Sequence, residues 1–154
     1  LGMGLAPIDK FLAAGIRVGL GTDSPAASNS MDVVEEMRIG LLLQRAMLGE
    51  AHFMIARQFV KMATLDAARA LGVDDQVGSL EPGKQADVIA VDLSKSHQIP
   101  THHPYGTLVH TANQENVLWT MIGGKVVYEA REWPLLDNER IYGRAEEMRM
   151  KLRT

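Results

Sequence analysis

The sequence has 154 residues, enough for one ordinary domain with a core of its own. A formal net charge of −3 and a pI of about 5.9 exclude the electrostatic footprint of a nucleic-acid binder or of a protein held on an anionic membrane surface. No cysteine is present, so a disulfide framework and a thiolate metal site are excluded too, and any metal must bind His, Asp or Glu. No apolar run approaches the roughly 18 residues of a membrane span. Nothing reads as a signal peptide or basic targeting segment, which leaves the cytoplasm as the default compartment. The chain starts at Leu1 and enters structured sequence almost at once, the expected texture of the tail of a longer protein.

In chain order, Ala6 to Ala14 predicts a short helix. Pro7 suits its first turn, Ile8, Phe11 and Leu12 form an apolar stripe, and Gly15 ends it. Residues 16–22 alternate Ile16, Val18 and Leu20 with Arg17 and two glycines, a strand pattern that ends at Asp23. A polar loop, Ser24 to Ser30, follows. A helix opens at Ser30 or Asp32 and runs to about Leu48. Asp32 and Glu35 have cap-and-third-position spacing, and the early acids suit the positive end of the helix dipole. Met31, Val34, Met37, Leu41 and Leu48 are placed on one side, and Gly49 ends the helix. A third helix covers about Phe53 to Met62. Thr64 then caps a short one, Leu65 to Leu71, closed by Gly72.

After Gly72 the texture changes, and a boundary falls near 73–78. Gly78 to Gln85 is turn-rich. Ala86 to Leu93 predicts a strand, and Ser94 to about Pro104 an irregular segment rich in His and Pro. Asn116 to Ile122 and Lys125 to Glu129 predict two strands joined by Gly123-Gly124, a two-residue hairpin turn of the kind that needs positive φ. Asn138 to Leu152 predicts a charged helix with Ile141, Ala145, Met148 and Leu152 on one face. A single parallel-type strand cannot make a sheet alone, so the first half is expected to dock onto strands this chain does not contain.

Asp23 is the most informative residue. A carboxylate at the C-terminal end of a strand, before a loop and a helix, sits where α/β barrels place their catalytic groups. On residue type alone a loop or helix cap is the commoner role of such an Asp. The surrounding motifs decide between these. Gly21-Thr22-Asp23-Ser24 with Ser28-Asn29-Ser30-Met31-Asp32 and Glu35-Glu36-Met37-Arg38 resembles the last barrel strand and following helix of the amidohydrolase superfamily. The branch it resembles holds methylthioadenosine/S-adenosylhomocysteine deaminases, other aminohydrolases and triazine hydrolases. Leu1 to Ile8 is similar to the stretch entering the last barrel helix, and Met62 to Gly72 to the helix packed behind the barrel. Gly78 to Ile89 is similar to the family's entry into its small β-domain, and Val117 to Val127 to that domain's last hairpin. The blocks stand in the family's order over nearly the whole chain.

The resemblance implies an α/β fold: the C-terminal part of a metal-dependent (β/α)8 barrel, plus strands of a small composite β-domain and a terminal helix. The implied division is 1–75 barrel portion, 76–135 β-domain strands and 136–154 terminal helix. It also implies one divalent metal, usually zinc, held by upstream histidines and by an Asp from the eighth strand, which Asp23 matches. A metal lowers the pKa of bound water and yields hydroxide near neutral pH. Asp23 is thereby implied as ligand and proton shuttle in the hydrolytic deamination of a purine nucleoside-like or heterocyclic amine. The implied partners are a small-molecule substrate and, for a full-length parent, further copies of itself, with no nucleic acid and no membrane.

The chain departs from the family pattern in one respect. No His-X-His occurs, and His52, His97, His102, His103 and His110 all follow Asp23, whereas the family's metal histidines precede it. The chain alone is therefore expected to be inactive. Adjacent His102 and His103 point to opposite sides of an extended chain, and with His110 they are expected in a loop packed between barrel and β-domain. Ser24 and Ser28 are read as loop and cap hydrogen-bonding groups, or as substrate contacts. Trp119 and Trp133 are read as packing residues, and most of the nine methionines as core. The alternatives are a triazine-type hydrolase of the same superfamily and a non-catalytic module that uses an orphaned barrel surface for association.

Overall fold

The computed structural model describes residues 4–152 of the chain. Among these residues seven α-helices and three strands follow in order: α1 (Ile8–Ala13), α2 (Pro25–Ser28), α3 (Val33–Leu48), α4 (Ala56–Met62), α5 (Leu65–Leu71), β1 (Val88–Val91), α6 (Pro104–Thr111), β2 (Val117–Ile122), β3 (Lys125–Glu129) and α7 (Asn138–Lys151). The core is helical. Ile8 from α1, Val34, Met37 and Leu41 from α3, Ala56, Phe59 and Met62 from α4, and Val109 from α6 bury against one another.

An aspartate side chain and a left-handed glycine set the two ends of α3. Asp32 Oδ1 accepts from the N–H groups of Val34 at 2.9 Å and Glu35 at 3.2 Å, satisfying two orphan donors of the first turn. Gly49 closes the helix in the left-handed region. Further along, Arg38 donates from Nε to Val109 O at 3.1 Å and from Nη2 to Ala112 O, so its guanidinium clamps the C-terminal end of α6 onto α3. Arg45 does the same for the next loop, donating to Phe53 O at 3.2 Å and Met54 O at 2.7 Å.

The strands form one antiparallel sheet in the order β1-β2-β3. Val88 pairs with Met121 and Ile122 with Lys125 across the hairpin. Gly123 and Gly124 both have positive φ, 54° and 77°, the conformation a two-residue turn requires. Asp87 pins that turn to the start of β1 by accepting from Gly123 N–H at 2.7 Å. A buried amide network ties the sheet to α6. Asn116 Nδ2 donates to Asp92 O at 2.7 Å and to Gln98 Oε1 at 3.0 Å, and Gln98 Nε2 donates to Thr111 Oγ1 at 3.2 Å.

Several expectations are corrected. Residues 16–22 carry no regular secondary structure and form no strand, because no other strand of the described residues runs beside them. The loop 24–30 contains α2, a single turn started by Pro25. The helix expected from Phe53 begins at Ala56, since Met54 has φ +53° and Gln58 Oε1 reaches back to Ile55 N–H at 2.7 Å. Thr64 does not cap α5; its hydroxyl donates back to Val60 O at 2.8 Å.

The His-rich segment is not all loop. His103 precedes α6 and His110 lies within it, and α6 packs on α3 and α4. Met31 is 69% exposed and lies before α3, outside the buried stripe. Met37, Met54 and Met62 are the buried methionines among the described residues, fewer than expected. The stripe of α7 is present, but nothing among the described residues buries it. Trp133 packs on Tyr128 with ring centroids 4.8 Å apart, as a packing residue should. Leu1 to Met3 and the Ser28 side chain lie outside the described residues. Among the described residues no helix is long and apolar enough to cross a membrane.

Candidate functional site around Asp23

Asp23 sits between the irregular segment 16–22 and α2. It is exposed, and its backbone is left-handed with φ +58°. Few residues other than glycine adopt that region; Asp and Asn do so most readily, and such conformations cluster at functional sites. Asp23 Oδ1 accepts from Ser24 N–H at 2.6 Å, while the Thr22 hydroxyl donates to Asp23 O at 3.1 Å. The first bond fixes the carboxylate against its own backbone and leaves Oδ2 without a hydrogen bond among the described residues.

The loop beyond is short. Ala27 N–H donates to Ser24 O at 2.9 Å and Asn29 N–H to Pro25 O at 2.8 Å, closing the single turn of α2. Asn29 is left-handed as well, φ +58°, so two such residues bracket α2 and redirect the chain at each end. Ser30 Oγ then accepts from Asp32 N–H at 3.2 Å and leads into the α3 cap. Asp23 is thus presented by a loop anchored at its far end by Asp32 and, through α3, by the Arg38 clamp.

Ser24 contributes its N–H to Asp23; its hydroxyl makes no cap bond to α2, so the cap reading is corrected for Ser24. The signals for α2 were in the sequence: Pro25 at the first helical position and Asn29 at the exit. A cavity of about 400 Å³ opens beside the first turn of α3, lined by Ser30, Asp32, Glu35 and Arg38 together with residues 112–115. Asp23 does not line it, and Asp32 is already committed as a cap.

Among the described residues no three His, Cys, Asp or Glu side chains come together in a way that could hold a metal. A zinc ion takes about three or four protein ligands. The residues present therefore do not fit a complete metal centre, and Asp23 alone cannot make one.

Comparison with known proteins decides what this loop belongs to. Residues 1–127 match the amidohydrolase family. The chain belongs to that family. Among related amidohydrolases, the 5-methylthioadenosine/S-adenosylhomocysteine deaminase of Desulforudis audaxviator is 38% identical over 152 residues, covering 99% of this chain and 35% of that protein. The protein of the same name from Pelotomaculum thermopropionicum is 40% identical over 152 residues, with the same coverage. An adenosine deaminase from Xanthomonas campestris, solved with bound zinc, superposes with a TM-score of 0.92 at 34% identity over 97% of this chain and 34% of its own. A zinc complex of atrazine chlorohydrolase from Arthrobacter aurescens superposes at 0.85 with 31% identity, covering 95% of this chain and 32% of its own. The chain therefore spans about a third of the length of the amidohydrolases it matches.

Proposed function

We propose that this chain is the C-terminal part of a metal-dependent amidohydrolase that deaminates an adenosine-type substrate such as methylthioadenosine or S-adenosylhomocysteine. In that reaction a carbon–nitrogen bond breaks, water supplies the new oxygen, and ammonia leaves. Asp23 is the group this chain contributes to the metal site. The observation that carries the reading is its presentation: a left-handed Asp directly before α2, with one oxygen pinned by Ser24 N–H and the other left to act. A carboxylate in that position can serve as a hard anionic ligand and as a proton acceptor at Oδ2. No catalytic step is assigned to the chain by itself, because its residues do not complete the site.

Support for the substrate class comes from the deaminases that match 99% of the chain, and support for zinc from the two zinc-bound structures. On this reading residues 1–75 are the last helix–strand–helix part of a (β/α)8 barrel, 76–135 strands of a small β-domain, and 136–154 a terminal helix.

Two measurements test it. Zinc titrated into the isolated chain should bind only weakly, and no ammonia should come from methylthioadenosine. A single polypeptide joining this chain to the unmatched remainder of the Desulforudis audaxviator deaminase should release ammonia from methylthioadenosine or S-adenosylhomocysteine. A folded, zinc-loaded fusion that leaves both untouched would overturn the proposal. Selective turnover of a chlorotriazine would replace it with the triazine-hydrolase reading.

A further inference from the structure

A cavity of about 310 Å³ lies beside the start of the segment 16–22. Its walls come from this chain alone: α1, the segment itself, α4 and α5. Leu12, Val18 and Met62 give it an apolar side. Arg17, Lys61 and Arg69 stand around it with a single carboxylate, Asp66. Three cations to one carboxylate is a local reversal of sign in a chain whose net charge is −3.

The cations are not neutralised from within. Lys61 Nζ lies 3.3 Å and Arg69 Nη1 3.5 Å from Asp66 Oδ1. Arg69 Nε lies 3.7 Å from Asp74 Oδ2, and Asp74 does not line the cavity. All three distances exceed the roughly 2.7–2.9 Å of a charge-assisted hydrogen bond, so the carboxylates are shared loosely and the donors are not saturated. Arg17 has no ion pair among the described residues. Its Nη1 donates to Arg69 O at 3.2 Å, a neutral acceptor that holds the guanidinium against α5 and leaves its charge uncompensated. Exposed ion pairs contribute little to stability, so joining α4 to α5 does not account for the cluster.

We propose that this cavity binds a small organic anion, its oxyanion head held by Arg17, Lys61 and Arg69 and its short apolar body lying against Val18 and Met62. A planar guanidinium offers two parallel N–H groups to a carboxylate or a phosphate, and the lysine adds a compact charge. The volume is at the lower end for a ligand pocket, which limits the body to a few carbons. Asp66 partly offsets the cations, so the expected Kd is about 1 mM. The inference is independent of the proposed reaction, since it uses neither Asp23 nor a metal.

Isothermal titration into the chain, and into the single-chain fusion described above, tests it with four probes: inorganic phosphate, butyl phosphate, acetate and pentanoate. Butyl phosphate should bind one-to-one and about tenfold tighter than inorganic phosphate, or pentanoate about tenfold tighter than acetate, because the body removes apolar surface from water. The tighter organic anion identifies the head as phosphate or carboxylate. Added salt should weaken binding, as screening acts on exposed charges. Arg17→Gln and Lys61→Gln should each weaken it by about tenfold, and Arg17→Lys by less. Lys125→Gln, on the hairpin and outside the cavity, makes the same charge change and should have no effect. Circular dichroism checks that each variant is folded.

No saturable binding at millimolar concentrations overturns the inference. So does binding that Arg17→Gln and Lys61→Gln leave unchanged, or binding in which the apolar body makes no difference. Binding to the chain that the folded fusion lacks also overturns it, because the cavity is then filled by the rest of the polypeptide.

Discussion

His110 shows how packing changes the chemistry of one residue. It lies on α6 above the core, and burial first, then the charges of Arg45 and Arg38, hold its pKa below the ordinary histidine value. The folded state therefore disfavours protonation. A group with a lowered folded pKa contributes stability above its unfolded pKa, about 6.5, and loses that contribution as pH falls through the folded value. The chain should lose stability from neutral pH into the mildly acidic range, and His110→Gln should flatten that slope. Urea midpoints at a series of pH values check this; an unchanged slope in the variant would assign the loss to other groups. Asp23 is the other residue whose role depends on its setting. Its place in Gly21-Thr22-Asp23 was legible from sequence, whereas its left-handed backbone and its bond to Ser24 N–H were not. Both arise from the tight exit into α2, and periodicity carries no information about single-residue turns.

Among the elements, α3 is the best specified. Its cap, its buried stripe through Val34, Met37 and Leu41, and its Gly49 stop all stand in the sequence, and they agree with one another. Asp32→Ala should remove two bonds to first-turn N–H groups and destabilise the fold by about 1 kcal/mol, measured by urea denaturation. No change would mean that the Arg38 clamp alone sets that end of the helix. The turn after α5 is equally demanding. Gly78 has φ +93°, and a Cβ there would lie 2.7 Å from Ala68 Cβ and 3.1 Å from Leu65 Cα. Gly78→Val should cost about 2 kcal/mol or more, because strain and overlap add. Thermal melts of the variant test this, and wild-type stability would show that the turn can move away from α5.

The elements that sequence missed have separate causes. Residues 16–22 carry a strand pattern, but a ladder is a non-local property and needs a neighbour. α6 was not read from the sequence, where Pro104 stood at the end of an irregular segment, when Pro104 in fact occupies the first helical position. The hairpin at Gly123-Gly124 was legible because its turn chemistry is local.

At the scale of the whole molecule, the helical core and the three-stranded sheet are joined through the Asn116–Gln98–Thr111 network, while one side of α3 and the stripe of α7 stay open to solvent. That distribution suits a chain that spans about a third of the proteins it matches. The central claim is that Asp23 is this chain's metal-binding carboxylate. The most direct test is the zinc affinity of the single-chain fusion with the remainder of the Desulforudis audaxviator deaminase, measured for the parent and for Asp23→Asn by competition with a chelator. The amide is nearly isosteric but neutral, so the fold should persist while zinc affinity drops by well over tenfold, since even outer-shell changes cost about 10- to 100-fold. Ammonia release should fall by about 100-fold or more with it. An Asp23→Asn fusion with the parent's zinc affinity and turnover would contradict the account and reduce Asp23 to a residue that shapes the loop.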